Sequence, residues 1–416
     1  MRPRMVAAAL VVMMCPASSA WAQEDAASCE KCHEDRRFLT GKTETSEQDQ
    51  ALFVTRDLLL QSAHEELSCA SCHEEHALGY PHVTDAIASQ CSACHEAEQG
   101  DWAQSVHADN YTSAGDAADC VVCHTAHTVY SRDDERSPTH DLNVAGLCAG
   151  CHADSTIVGT YFSAPEDSLA AASVALYHET VHGTRVTDAG LEVSATCSDC
   201  HRSHRTLPGE SPGSSLHHDS IPTTCGRCHD QVLDAYAGAS HGAASPPDAG
   251  EEGEPGFDPP NCVDCHTAHG IVEAHEPNWF RGSVEECGQC HERLYETYLG
   301  TYHGKVTHLG GELAAKCSDC HTAHDMRPAS DSLSSVHETK VVATCARCHE
   351  DANESFAKYY VHGDPMNRAE FPLLFWPWVI VTAYVVGALA LFNVHTGMWL
   401  WRNARHAIQV RREHRT

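Results

Sequence analysis

Apolar residues gather at the two ends of the chain. A run from Met5 to Met14 lies near the start and a second, Leu373 to Phe392, near the finish. Between them helical spacing is brief: Leu294, Tyr295, Tyr298, Leu299 and Tyr302 repeat at it, as do Phe356, Tyr359 and Tyr360. Ala243–Pro260, rich in Pro, Gly and Glu, reads as a surface loop, and Thr206–Pro222 reads the same way. The first run follows Arg2 and Arg4 and ends in Ala20-Trp21-Ala22 ahead of Gln23, the form of a cleaved leader spanning 1–22. The second is long enough to cross a bilayer and carries Trp376, Trp378, Trp399 and Trp401 at its rims, which predicts a membrane helix over 371–401. Arg402, Arg405, Arg411, Arg412 and Arg415 follow, with only Glu413 opposing them. The tail 402–416 is therefore expected in the cytoplasm of a single-pass inner-membrane protein, with 23–370 in the periplasm.

Composition sets aside a conventional interior. The 416 residues hold 23 cysteines and 33 histidines against 9 Phe and 7 Trp, so something other than side chains has to fill the core. Asp plus Glu number 58 and Lys plus Arg 27, which excludes nucleic-acid binding by phosphate neutralisation. The region 23–370 holds 57 acidic and 20 basic residues, net −37, and the segment beyond holds 5 basic and 1 acidic, net +4. A field of that sign favours basic soluble redox partners; it also serves as an acidic solvated surface.

Cys15 leaves with the leader, and the other 22 cysteines form eleven CxxC pairs, each followed by His. They are Cys29/Cys32/His33, Cys69/Cys72/His73, Cys91/Cys94/His95, Cys120/Cys123/His124, Cys148/Cys151/His152 and Cys197/Cys200/His201. Then come Cys225/Cys228/His229, Cys262/Cys265/His266, Cys287/Cys290/His291, Cys317/Cys320/His321 and Cys345/Cys348/His349. Two thiols at this spacing add to the two vinyl groups of one haem, and the adjacent His is held under the porphyrin to ligate iron. Eleven covalent c-type haems are expected. A disulfide framework would not require His at a fixed offset, and structural zinc would not give each thiol pair a private His.

The remaining histidines repeat as well. One unit reads upstream His, CxxCHxxH, intervening His, CxxCH, giving two-haem repeats at about 64–95, 107–152, 178–229, 241–291 and 303–349 after the initial Cys29 motif. The expected sixth iron ligands are His64, His107, His182, His241, His303 and His362 with the doubled His76, His127, His204, His269 and His324. The intervening His82, His140, His217, His275 and His337 are expected outside the iron shell. In the third unit, with its insert Ala153–Tyr177, His178 competes with His182 for the upstream role.

This pattern resembles the multihaem c-type cytochromes, in particular the cytochrome c3-like group with doubled CxxCH motifs, over about Cys29 to His362. The resemblance implies a haem-packed, helix-poor fold with little sheet, mainly α with extensive loops, in which porphyrins supply most of the apolar core. With about 32 residues per haem, neighbouring porphyrins should nearly touch. Histidines outnumber the sixth positions, which favours closed bis-histidine irons and an electron relay over an enzyme. The alternative is a multihaem oxidoreductase acting on a small nitrogen or sulfur compound at one open haem; the absence of any CxxCK motif counts against it. His395 near the cytoplasmic end of the apolar run suggests contact with a quinone, a haem b or a partner subunit, or an interfacial position. The stretch His395–Trp401 looks like c3-like cytochromes that associate with membrane-embedded b-type cytochromes. That implies a separate quinone-reactive or b-type subunit.

Overall fold

The computed structural model describes residues 29–40, 52–73, 91–109, 119–161, 169–242, 259–274 and 277–414. The leader, His76, His82, His275, Arg415 and most of Ala243–Pro260 lie outside the described residues. Among those described, more than half are helical and none is in a strand. The expectation of a helix-poor fold is corrected by this, while the prevalence of short helices stands. The motifs themselves are the reason, because many CxxCH sequences occupy a helical turn of their own. Asp119 caps Cys120–His124 by accepting from the N–H groups of Val121 and Val122 at 3.0 and 3.1 Å. In Cys197–His201, Cys262–His266 and Cys317–His321 the Asp inside the motif reaches back. Asp199, Asp264 and Asp319 accept from the N–H of Thr196, Asn261 and Lys316 at 2.7, 2.6 and 2.8 Å.

The chain forms two compact units, Met1–Leu233 with Asn261–Glu273, and Asp234–Pro260 with Ala274–Thr416. The boundary falls inside the fourth two-motif repeat, so the first unit carries the motifs from Cys29 to Cys262 and the second those from Cys287 onward. Neither has an ordinary core. In the first, the larger buried apolar side chains are Leu39, Val144, Val158 and Val186; in the second, Val284 and Tyr298. Buried hydroxyls are as common: Ser62, Ser105, Ser137, Thr180, Thr196 and Ser214 in the first unit, Thr301, Thr307 and Ser334 in the second.

Thr206–Pro222 is irregular up to His217, as expected of a loop, with Ser214 buried within it, and then passes through the turn His218–Ser220 into the helix Ile221–Gly226. One local expectation changes. After His349, the aromatic pattern yields only a 3₁₀ turn, Phe356–Lys358, and Tyr359 is already extended. The chain opens there so that His362 can turn towards His321. The helix over Glu292–Gly300 forms as expected, with Tyr298 buried.

Among the described residues one helix, Pro372–Glu413, is long and apolar enough to cross a membrane, and it has no buried residue. Its 42 residues extend about 63 Å at 1.5 Å each, roughly twice the hydrocarbon thickness. The helix does not stop at Trp401, because Arg402–Glu413 contains neither Gly nor Pro and is rich in strong helix formers.

Candidate cofactor-ligand site

On one helical turn, Cys at i and i+3 and His at i+4 share a face, which is how a CxxCH turn presents two thiols and an imidazole together. Thiols of consecutive motifs lie beside each other. Cys91 with Cys120, Cys148 with Cys197, Cys225 with Cys262 and Cys287 with Cys317 are within hydrogen-bonding reach. Cys148, Cys225 and Cys287 are held well above the ordinary thiol range, first by that hydrogen bond and then by burial. Electrostatic neighbours fill the alternate junctions: Cys69 with Cys29, Cys72 with Cys91, Cys123 with Cys151, Cys200 with Cys225, and Cys320 with Cys345. At these junctions, motifs adjacent in sequence are adjacent in space.

At seven motifs the two thiols of a pair are unequally covered by the protein. Cys94, Cys151, Cys200, Cys228, Cys265, Cys290 and Cys348, each the second cysteine of its pair, are exposed, whereas the first cysteine of every one of these motifs is partly covered. The histidines directly after Cys94, Cys228, Cys290 and Cys348 are exposed as well. First cysteines meet a neighbouring motif in the four hydrogen-bonded pairs, and second cysteines do so where Cys72 neighbours Cys91, Cys123 neighbours Cys151 and Cys200 neighbours Cys225. Attachment to a macrocycle requires a thiol on the imidazole's face of the turn, which the i, i+3, i+4 spacing supplies without cover.

The histidines fall into facing pairs, each joining one motif imidazole to one outside the motifs. In the first unit these are His95 and His64 (6.0 Å between ring centres), His73 and His127 (6.1 Å), His152 and His107 (6.3 Å), and His124 and His204 (6.0 Å). His229 with His182 (6.2 Å) and His201 with His269 (5.9 Å) complete that set. The second unit has His291 with His241 (6.1 Å), His349 with His303 (6.0 Å) and His321 with His362 (6.2 Å). Two imidazoles bound to one metal from opposite sides place their ring centres about 6 Å apart, from two bonds of about 2 Å and roughly 1 Å within each ring. The residues fit an iron between them.

The pairing follows a rule. An upstream His faces the second motif of its own repeat, whereas a doubled His faces the first motif of the preceding repeat. A backbone stitch accompanies the exchange. The N–H just before four of the upstream histidines donates to the carbonyl two residues beyond a doubled His of the next repeat: Ala63 to Val129 (2.7 Å), Val106 to Thr206 (3.0 Å), Val181 to Ile271 (2.9 Å) and Ser240 to Met326 (2.8 Å). The doubled His is aimed by a sharp reversal. Thr125, Arg202, Thr267 and Thr322, each directly after a motif His, have φ of 64°, 65°, 61° and 66° with ψ between 151° and 171°.

Sequence reasoning missed the turn that holds the upstream His. Tyr177, Tyr236 and Tyr298 stand five residues before His182, His241 and His303. Their hydroxyls donate to the carbonyls of Ala195, Pro260 and Ala315, each two residues ahead of a motif. Burial pushes the Tyr177 phenol up to about 12. Thr180 and Thr301 accept from the N–H of Gly183 and Gly304 at 2.9 and 3.0 Å. A Cβ on Gly183, Gly242 or Gly304 would lie 2.0–2.1 Å from the carbonyl oxygen of the matching tyrosine, so only glycine fits. The recurring Tyr five residues before His-Gly was the available signal.

Burial depresses the imidazoles of His107, His124, His127, His152, His182, His241, His303 and His321, with the facing ring or another histidine adding to it in most. His201 falls to about 4, by burial and then by His269. Neutral imidazole is the ligating form. His178 lies against Tyr177 at 5.7 Å instead of facing a motif. His140, His217 and His337 accept through Nδ1 from the N–H of Leu142, Asp219 and Thr339, starting the helices that lead to the next motif; the Nε2 of His140 lies 3.8 Å from Glu192. In the first unit the motif turns line a cavity of about 2150 Å³, beyond the roughly 300–1,000 Å³ of a small-molecule pocket. Among the described residues no cluster of three or more His, Cys, Asp or Glu is placed to hold a metal ion. Comparison of the chain with family models, curated proteins and solved structures finds no match.

Proposed function

We propose that the chain is a membrane-anchored multihaem c-type cytochrome, an electron relay carrying eleven covalent haems. Its circuit joins a quinone-reactive or b-type membrane subunit to basic periplasmic redox proteins or a terminal reductase. The observation that carries this reading is the set of nine motif imidazoles, each facing a second imidazole across 5.9–6.3 Å. Two imidazoles on opposite sides fill only two positions of a metal, which leaves between them a plane that a macrocycle fits. The thiols beside each motif His supply its covalent attachment. Bound haem provides one-electron chemistry, and two axial imidazoles keep substrates off the iron.

The protein's own part is placement. Motif turns fix the proximal imidazole, the Tyr-to-His-Gly turns and the positive-φ reversals fix the distal one, and burial favours the neutral form in most of them. The neighbouring thiols of consecutive motifs support the close haem spacing that electron hopping needs. The long helix Pro372–Glu413 anchors the chain, with its arginine-rich end in the cytoplasm and the haem-bearing part outside.

The test is the intact mass of the exported chain with pyridine haemochrome quantitation and electron paramagnetic resonance of the oxidised protein. Eleven haems and wholly low-spin spectra are expected. Markedly fewer haems would overturn the reading; a high-spin signal that shifts with nitrite, hydroxylamine or cyanide would favour the oxidoreductase.

A further inference from the structure

A pair of hydrogen bonds recurs at equivalent places in two repeats. The Ser215 hydroxyl donates to the carbonyl of Cys200 at 2.5 Å, and the Thr224 hydroxyl donates to the carbonyl of Ser215 at 2.8 Å. The Ser335 hydroxyl donates to the carbonyl of Cys320 at 2.5 Å, and the Thr344 hydroxyl to that of Ser335 at 2.7 Å. Thr224 and Thr344 directly precede Cys225 and Cys345. Each bridge therefore runs from the residue before one motif to the second cysteine of the motif preceding it.

Ordinary loop anchoring accounts poorly for this. The loop is already held by the serine one place earlier: Ser214 and Ser334 are buried, donate to the carbonyls of Leu207 and Arg327, and accept from Leu216 and Val336. Thr224 and Thr344 lie inside the helices Ile221–Gly226 and Val341–Ala346, where the usual partner of a threonine hydroxyl is a carbonyl of its own helix. Here each reaches outside its helix instead. The repeat at 107–152, with the same spacing between motifs, carries Pro138 and Leu147 at these two positions. Both hydroxyls are present together or absent together.

We infer that Ser215 with Thr224, and Ser335 with Thr344, are positioning residues that set the separation and tilt of the groups held by consecutive motifs. The inference rests on the haem reading above. In those two repeats the junction is rigid, and in the repeat at 107–152 it is left to packing. Neither serine touches a reacting atom; each acts through the second cysteine of a motif, whose peptide it pins.

The test is the full-length membrane protein carrying S215A and S335A together, with S215T plus S335T as the conservative counterpart. The readout is the Soret-region circular dichroism, which reports coupling between neighbouring haems. The couplet should fall by about a fifth in the alanine form, two of ten junctions being altered and their contributions adding. The threonine form, which keeps the hydroxyls, should restore it, with eleven haems, low-spin spectra and far-ultraviolet dichroism equal throughout. An unchanged couplet in a fully loaded alanine variant overturns the inference. A wild-type chain that carries no haem overturns the function beneath it instead. Should the double variant misfold, T224V and T344V remove the other half of each bridge and are read in the same way.

Discussion

A residue with φ near 65° and ψ near 160° sits where only glycine is comfortable, and holding another residue there costs about 1–3 kcal/mol. Thr125, Arg202, Thr267 and Thr322 all do so, immediately after a motif His, and the reversal sends the doubled His towards a different repeat. Arg202→Gly is therefore expected to raise thermal stability by roughly 1 kcal/mol, the relieved strain less the 0.5–1 kcal/mol that glycine loses in backbone entropy. A lower melting temperature would show that the conformation is not strained. Gly304→Ala should do the opposite. Its methyl would meet the Tyr298 carbonyl at 2.1 Å, displacing His303 from His349, and one haem's worth of high-spin signal is the expected readout. The CxxCH turns and the histidines that face them were legible because residue type and offset repeat along the chain. The positive-φ reversals were not, since Thr and Arg carry no mark of the backbone they adopt.

Short helices here are set by local chemistry and linked by exchange. Asp199, Asp264 and Asp319 cap their own motif turns, and such caps are visible in sequence as an acid three residues into a turn. Ser, Gly and Pro mark the segment Thr206–Pro222 as a loop, while its tertiary bonds to the motif ahead leave no local signature. The final ligand is set apart. His362 faces His321 from beyond the last motif, and its Nδ1 lies 3.2 Å from the Thr297 hydroxyl. Truncation after Asp364 should release a soluble protein carrying every haem in low-spin form. Truncation after Ala357 should release one with the same haem count and a single high-spin centre. Equal spectra from the two fragments would remove His362 from the ligand set. The membrane helix was legible over its apolar part; its continuation to Glu413 was not, because a basic segment following an apolar one reads as a tail until its helix propensity is weighed.

Charge is the property that belongs to the whole chain. A region at net −37 attracts basic partners and repels acidic ones, so reduction by a basic soluble carrier should slow steeply as ionic strength rises from 0.01 to 0.15 M, where the screening length falls from about 30 to about 8 Å. A rate indifferent to salt would assign the acidic residues to solubility alone. The exchange of ligands between repeats has a bearing on how such a chain is made. His127 comes 54 residues after His73, His204 comes 80 after His124, and His269 comes 68 after His201. On the function proposed above, a tetrapyrrole attached at one of these first motifs during secretion would wait five-coordinate until the following repeat had crossed the membrane, so a nascent chain stalled in translocation would leave reactive iron facing the periplasm.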